Sequence, residues 1–393
     1  MARILFSGIP TYGQANPTFG LAAALVASGH SVDYLMPEAF RTEVEQCGAA
    51  VLPYADYLHG KPVDRPHQAL GARFFFDDLT RQVVGRGNDY DVVVATGLQP
   101  QFADIERRLS VPVVRFSPMF WQNERTVAEL AAQARALPPL VRHGLANRWL
   151  RQGASQIIGR ALFGNHGHDV IDVLGPQSST LNLTVSSRYL QPRADDFDDT
   201  CVYLGPIARP RTSADPEFPI ERLRQHPGPV IYASLGTIYN GWTGYYRRIA
   251  RAFANTDALV VLSLARPSGT HDLGPVADNI LVYPYVPQAE VLAEADLCFT
   301  HGGFGTITEA AAAAVPMIVT PLGGDQFLNA YRLHELDAAQ VVPAWQLSTD
   351  RVAYTADLIL AGSGTLAGVA PLAASLQEAG GTALGVAHIE ALL

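Results

Sequence analysis

The sequence predicts an α/β protein of two doubly wound, Rossmann-like domains, and three observations carry that prediction. Short apolar runs alternate with helical patterns from the first residues onward, the sequence form of repeated βαβ units and hence of a parallel sheet. The alternation breaks once, at Gly205-Pro206-Ile207-Ala208-Arg209-Pro210 and a Pro-, Ser- and Asp-bearing stretch to Pro219, and then restarts. The chain has 393 residues, more than one hydrophobic core usually organises.

In the first half, Ala2 to Ser7 reads as a strand and Pro17 to Ser28 as a helix, with Asn16 as its cap and Pro17 as its first residue. Ser31 to Met36 is a second strand, Glu38 to Gln46 a helix and Ala50 to Tyr54 a third strand. Asp91 to Thr96, Val111 to Ser117 and Leu181 to Val185 are further strands. Phe120 to His168 is helical but irregular, with aromatic and polar residues outside the periodicity, and is the expected substrate-facing insertion. Past the linker, strands are expected at Pro229 to Leu235, Ala258 to Ala265, Asn279 to Tyr283, Leu297 to Thr300 and Pro316 to Thr320. The domain boundary is placed near residue 210, giving domains 1–210 and 211–373.

Composition narrows the function. With 48% hydrophobic and 17% charged residues and no low-complexity tract, the chain is ordinary and globular. A formal net charge of −9 with only 28 Lys and Arg argues against nucleic acid and for a small-molecule substrate. Cys47, Cys201 and Cys298 are too scattered for a disulfide framework or a zinc cluster and read as core residues of a protein in a reducing compartment. No apolar run reaches the roughly 18 residues of a membrane span, and no signal peptide precedes Ile4. The expectation is a cytoplasmic protein without a metal.

The most informative stretch is Leu297-Cys298-Phe299-Thr300-His301-Gly302-Gly303-Phe304-Gly305-Thr306-Ile307-Thr308-Glu309, a strand ending in a glycine-rich turn that opens an Ala-rich helix. Ligands of open α/β sheets bind beyond the carboxyl ends of the strands. Glycines let the backbone approach phosphate oxygens, and the helix start offers unpaired N–H groups and positive dipole. Thr306 adds a hydroxyl and His301 a ring donor. Taken alone, such a turn is as often a tight connection, and a lone His a structural residue.

Set beside Tyr285-Val286-Pro287-Gln288 and Gly324-Asp325-Gln326-Phe327, the stretch resembles the donor motif of glycosyltransferase family 1, and closely its bacterial macrolide-type members. The resemblance implies a GT-B fold, two Rossmann-like domains facing a cleft, and an inverting transfer from a nucleoside-diphosphate sugar without an obligatory metal or other cofactor. It implies that Tyr285 stacks on the nucleobase, with Val286 and Gln288 beside it. His301, Gly303, Gly305 and Thr306 would hold the diphosphate, Glu309 the ribose hydroxyls, and Asp325 and Gln326 the sugar. Ser234-Leu235-Gly236-Thr237 resembles the family's other diphosphate loop, through Ser234, Gly236 and Thr237. The structural alternative for Asp325 and Gln326 is a helix cap and first-turn residue. A last helix, about Ala374 to Leu392 in the segment 374–393, would pack back on the first domain.

Gly8-Ile9-Pro10-Thr11-Tyr12-Gly13-Gln14-Ala15-Asn16-Pro17-Thr18 resembles the family's first loop, where members usually carry His at the position of Gln14; that His acts as base, oriented by an Asp at the position of Thr96. An amide has no useful proton affinity at neutral pH, so the usual dyad is missing. Three readings follow. Another residue takes over, with Asp77, Asp78, Glu124, His67, His166 and Asp169 as candidates. Or the acceptor is already nucleophilic, or brings its own base, and needs only positioning. Or the scaffold only binds, as a silent or auxiliary GT-B-like protein. Tyr12, Phe76, Phe120 and Trp121 are the expected acceptor contacts.

A sugar-nucleotide epimerase of the same fold would need clustered carboxylates at the reacting carbon, which the sequence does not place. The expected partners are a nucleotide sugar, UDP-glucose-like in first place and a dTDP-deoxysugar in second, and a small natural-product acceptor; a homodimer is compatible with the sequence.

Overall fold

The computed structural model describes residues 1–55, 65–133, 139–163, 169–207, 218–265, 273–362, 364 and 366–393, without the side chains of 65–74, 131, 133, 139 and 161–163. The chain divides into two compact units: one holds Met1–Ala132, Pro139–Pro210 and Ala379–Leu393, and Arg211–Glu378 fall in the other. The expected linker lies largely outside the described residues, at 208–217.

The first unit carries β1 (Arg3–Ser7), β2 (Ser31–Pro37), β3 (Ala50–Tyr54), β4 (Val92–Thr96), β5 (Val113–Ser117), β6 (Leu181–Thr184) and β7 (Cys201–Tyr203). They form one sheet in the order β3-β2-β1-β4-β5-β6-β7, every pair parallel, with Ile4 beside both Val32 and Val92. The second unit carries β8 (Val230–Ser234), β9 (Leu259–Ser263), β10 (Ile280–Tyr283), β11 (Leu297–Thr300), β12 (Met317–Val319) and β13 (Ala339–Val341) in the parallel order β10-β9-β8-β11-β12-β13.

Strands β4, β5, β8 and β9 are buried at every position. A strand covered on both faces reads as a near-continuous apolar run, which is why Val92-Val93-Val94 and Leu259-Val260-Val261-Leu262 do not alternate. Leu5, Phe75, Val93, Phe102, Ile105 and Val173 pack one core of the first unit. Ile231, Tyr246, Val260, Leu262 and Phe299 pack that of the second, where Phe299→Ala would cost about 3–5 kcal/mol.

In each sheet the chain reverses its winding between two central strands, β1 and β4 in the first unit and β8 and β11 in the second. The carboxyl ends at such a reversal splay the following loops apart and leave a crevice. Gln14 and Gly97 follow β1 and β4; Gly236 and His301 follow β8 and β11.

Five elements depart from expectation. The first helix spans Tyr12–Ala27, capped at Thr11, with Pro17 inside it, so Gln14 lies in its first turn rather than in a loop. Arg65–Arg86 forms a long helix unread in the sequence. The edge strands β7 and β13, three residues each, were also unread. The expected closing helix is two, Val369–Gln377 and Gly381–Glu390, broken where Gly380 and Gly381 adopt φ of 93° and 56°, a conformation that suits glycine. The latter helix packs on Tyr12–Ala27 within the first unit: the Gly381 N–H donates to Leu204 O at 2.7 Å and Glu390 meets His30 Nε2 at 3.0 Å.

Candidate functional site

In the second unit, β11 delivers His301 into a turn whose Gly302 has φ 87°. The ring is pressed between two glycines: a Cβ at Gly236 would lie 2.8 Å from His301 Cε1, and one at Gly303 2.6 Å from Cε1 and Nε2. Both positions need glycine because the imidazole occupies the space. Burial pushes the His301 pKa down to about 4, so the ring is neutral at pH 7. Gly303 then caps the Phe304–Ala312 helix without any side-chain cap, leaving its first N–H groups for another acceptor. Beside Gly305 a built Cβ meets nothing within 4 Å.

Gln288 organises the next wall. Its Nε2 donates to Glu309 Oε2 at 2.9 Å, while its Oε1 accepts from Tyr232 at 2.9 Å and from Thr306 Oγ1 at 3.4 Å. Burial raises the Glu309 pKa, and the Gln288 amide opposes the rise. Tyr285, 44% exposed, offers a ring face to solvent beside half-buried Val286.

Asp325 stands at the cap position of the Gln326–Glu335 helix but makes no side-chain cap bond. Its Oδ2 instead accepts from Asn329 Nδ2 at 3.0 Å, and the same amide donates to Gly302 O at 2.8 Å, tying the Asp325 segment to the His301 turn. Burial raises the Asp325 pKa against the Asn329 hydrogen bond. Gln326 is buried and its Oε1 accepts from Leu322 and Gly323 N–H at 2.8 and 3.0 Å, which leaves Nε2 as the donor end. Ser234 Oγ accepts from the Gly236 N–H at 3.1 Å, and Thr237 is exposed.

Two participants escaped the sequence reading. Asn329 was legible only as Asp325 plus four, one face of a helix. Tyr239 is placed by the fold alone: its ring centroid lies 6.2 Å from that of His301, and its hydroxyl fills the space a Cβ at Gly323 would take.

In the first unit, the Thr96 hydroxyl is turned inward, donating to Ser7 O at 2.7 Å. Gly97, at φ 72°, follows it, and a Cβ there would lie 2.7 Å from Gln14 Oε1, itself buried and without a hydrogen-bond partner. The fold therefore sets Gln14 against Gly97 while Thr96 bonds the backbone elsewhere. Behind Gly97, Arg115 is 1% exposed; its Nη1 donates to Gly97 O and its Nη2 to Val173 O at 3.2 Å, over the Phe102 ring. Burial pushes its pKa down to about 9, which leaves it charged at neutral pH.

The replacement-base candidates are engaged elsewhere. Asp78 pairs with Arg81 at 2.9 Å, Glu124 with Arg151 at 2.7 Å, and Asp169 takes the Ser155 hydroxyl and caps the Val170–Leu174 helix. Asp77 accepts from Gln101 Nε2 at 2.6 Å, in the loop after β4. His166 and the His67 side chain lie outside the described residues. Of the expected acceptor contacts, Tyr12 is exposed and donates to Glu43 at 3.1 Å. Phe76, Phe120 and Trp121 correct the expectation: at 8%, 1% and 0% exposure they are core residues, Phe76 against Phe75, and the Trp121 backbone bracketed by the Gln191 amide. Burial of their large apolar area decides their place.

The family model for UDP-glucoronosyl and UDP-glucosyl transferases matches residues 210–363. An uncharacterized UDP-glucosyltransferase, YdhE, of Bacillus subtilis is 27% identical over 96% of this chain and 95% of its own. The demethyllactenocin mycarosyltransferase of Streptomyces fradiae is 29% identical over 100% of this chain and 87% of its own. Among solved structures, the glycotransferase of kitacinnamycin superposes with a TM-score of 0.77 at 25% identity, covering 100% of this chain and 99% of that one. The calicheamicin glycosyltransferase CalG4 follows at 0.74 and 24%, over 100% and 98%. The fold is GT-B.

Proposed function

We propose that this chain, which belongs to glycosyltransferase family 1 and is accordingly a glycosyltransferase using a nucleotide-sugar donor, moves a hexosyl unit with inversion onto a small natural-product acceptor. The second unit binds the donor and the first the acceptor. The observation that carries this reading is the uncapped start of the Phe304–Ala312 helix, with neutral His301 fixed beside it and open space over Gly305. Departing diphosphate gathers negative charge in the transition state, and preformed N–H donors in a dry site stabilise it without reorganising.

The remaining roles belong to the same proposal. Tyr285 stacks on the base, Glu309 keeps an oxygen for the ribose hydroxyls, and Asp325 with the Gln326 Nε2 accept from and donate to a vicinal diol of the sugar. That polar pair favours UDP-glucose over a dTDP-deoxysugar. Cys47, Cys201 and Cys298 are buried and form no disulfide among the described residues, which agrees with a cytoplasmic place of work.

Calorimetric titration with UDP, dTDP, UDP-glucose and dTDP-glucose, followed by a transfer assay with a phenolic acceptor, tests the reading. Micromolar binding with transfer supports it and names the nucleotide. Binding without transfer makes the chain an auxiliary protein, and no binding at all removes the donor site.

A further inference from the structure

The acceptor end of the first unit has the opposite electrostatic character from a base dyad. Gln14 presents a neutral amide, Thr96 turns its hydroxyl into the sheet, and the four candidate carboxylates Asp78, Glu124, Asp77 and Asp169 are engaged by Arg81, Arg151, Gln101 and a helix cap. A cation touches the Gln14–Gly97 contact directly. The Arg115 guanidinium, 1% exposed, holds the carbonyl of the very glycine on which Gln14 Oε1 packs, and it pairs with no carboxylate among the described residues. Its partners are two backbone carbonyls and a ring face, and its Nε has none. A buried charge left without a counter-ion is costly and makes the surrounding low-dielectric region favourable to an anion.

We propose that the acceptor is an oxyanion, a carboxylate or an acidic phenol bound as phenolate, and that Arg115 is the positioning residue that fixes the Gly97 turn and supplies the positive field drawing the anion there. This rests on the glycosyltransferase reading above. The chemistry balances without a base: an acceptor oxygen lone pair forms the bond to the anomeric carbon, the bond from that carbon to the β-phosphate oxygen breaks, and its electron pair leaves on the nucleoside diphosphate. No proton is moved. An alcohol would have to lose its proton, and the help it lacks here is typically worth about 10²- to 10⁴-fold in rate.

The test uses the full chain, the donor that binds in calorimetry, and three acceptors at neutral pH: benzoate, 4-nitrophenol and benzyl alcohol. Benzoate and 4-nitrophenol should exceed benzyl alcohol in kcat/KM by about a hundredfold or more. Arg115→Met should cut the ratio of benzoate to benzyl alcohol kcat/KM by about tenfold while nucleotide affinity changes by less than about twofold, and Arg115→Lys should recover part of the ratio. Should Arg115→Met fail to fold, Gln14→Glu puts a negative charge at the same contact. It should lower benzoate transfer by about tenfold and raise benzyl alcohol transfer. Comparable wild-type rates on all three acceptors, an equal loss on all three in Arg115→Met, or an unchanged ratio in Gln14→Glu overturns the proposal while leaving the glycosyltransferase reading standing. Nucleotide binding without transfer to any acceptor overturns both.

Discussion

Gly305→Ala separates binding from folding in a single substitution. Gly305 is the second residue of the Phe304–Ala312 helix, and a Cβ built on it meets no atom within 4 Å. In the free protein the added methyl therefore strains nothing. It removes backbone freedom from the unfolded chain and raises helix propensity, a gain of about 0.5 kcal/mol at a first-turn position, or roughly 1–2 °C in Tm for a unit of this size. The same methyl projects into the space assigned to the diphosphate. If phosphate oxygens approach the backbone there, displacing them by even a fraction of an ångström lengthens the N–H···O bonds, and an affinity loss of about tenfold, 1.4 kcal/mol, is the minimum expected. Stability and affinity thus move in opposite directions. Gly303→Ala is the contrasting case: its Cβ would lie 2.6 Å from the buried His301 ring, so it should lose about 1–3 kcal/mol of stability along with binding. Thermal unfolding and titration with UDP and dTDP read both quantities. A Gly305→Ala protein that is more stable and binds as tightly as the wild type would refute the placement of the diphosphate at this turn.

Further outcomes follow from the same geometry. Asp325→Ala should weaken UDP-glucose binding and turnover far more than binding of UDP, since its carboxylate is assigned to the sugar; equal losses in titrations of both ligands count against that role. Thr96→Val removes the hydrogen bond to Ser7 O and the interaction with the buried Tyr34 hydroxyl, and should cost about 1–2 kcal/mol in urea unfolding with nucleotide affinity unchanged. His301 titrates near 6.5 unfolded and about 4 folded, so the unfolded chain takes up the proton first. The associated stability is complete above about pH 6.5 and is lost as pH falls toward 4, amounting to about 3 kcal/mol. Urea midpoints of wild type and His301→Gln over that range check it: the wild type should fall further, and parallel curves exclude the linkage.

Much of this was legible in the sequence because parallel sheets and phosphate turns depend on local chemistry. Buried Val- and Leu-rich runs can only be covered strands, and glycines around His301 mark a backbone that something approaches closely. Misreadings arose where two local signals compete or where packing decides. Asn16-Pro17 imitates a helix start, yet the helix begins at Tyr12 and tolerates the proline inside it. Strands β7 and β13 are too short to display a period. Phe76, Phe120 and Trp121 look like acceptor contacts until their burial is known. Arg115 carries no signal at all: an arginine within Val113–Ser117 would ordinarily mark an exposed edge, and only the three-dimensional arrangement reveals that its charge ends beneath Gly97.

The return of Ala379–Leu393 to the first unit has a consequence for how the protein is made. The helix Gly381–Glu390 covers Tyr12–Ala27, where a Cβ at Gly385 would lie 3.0 Å from Leu21, so a helix from near residue 20 is covered by one more than 350 residues later in the chain. During translation the strands β8 to β13 can pair as they emerge, whereas Tyr12–Ala27 must wait for its cover until Gly381–Glu390 has left the ribosome. A nascent chain halted before Ala379 would hold a finished second unit and an unfinished first unit, the kind of intermediate chaperones retain.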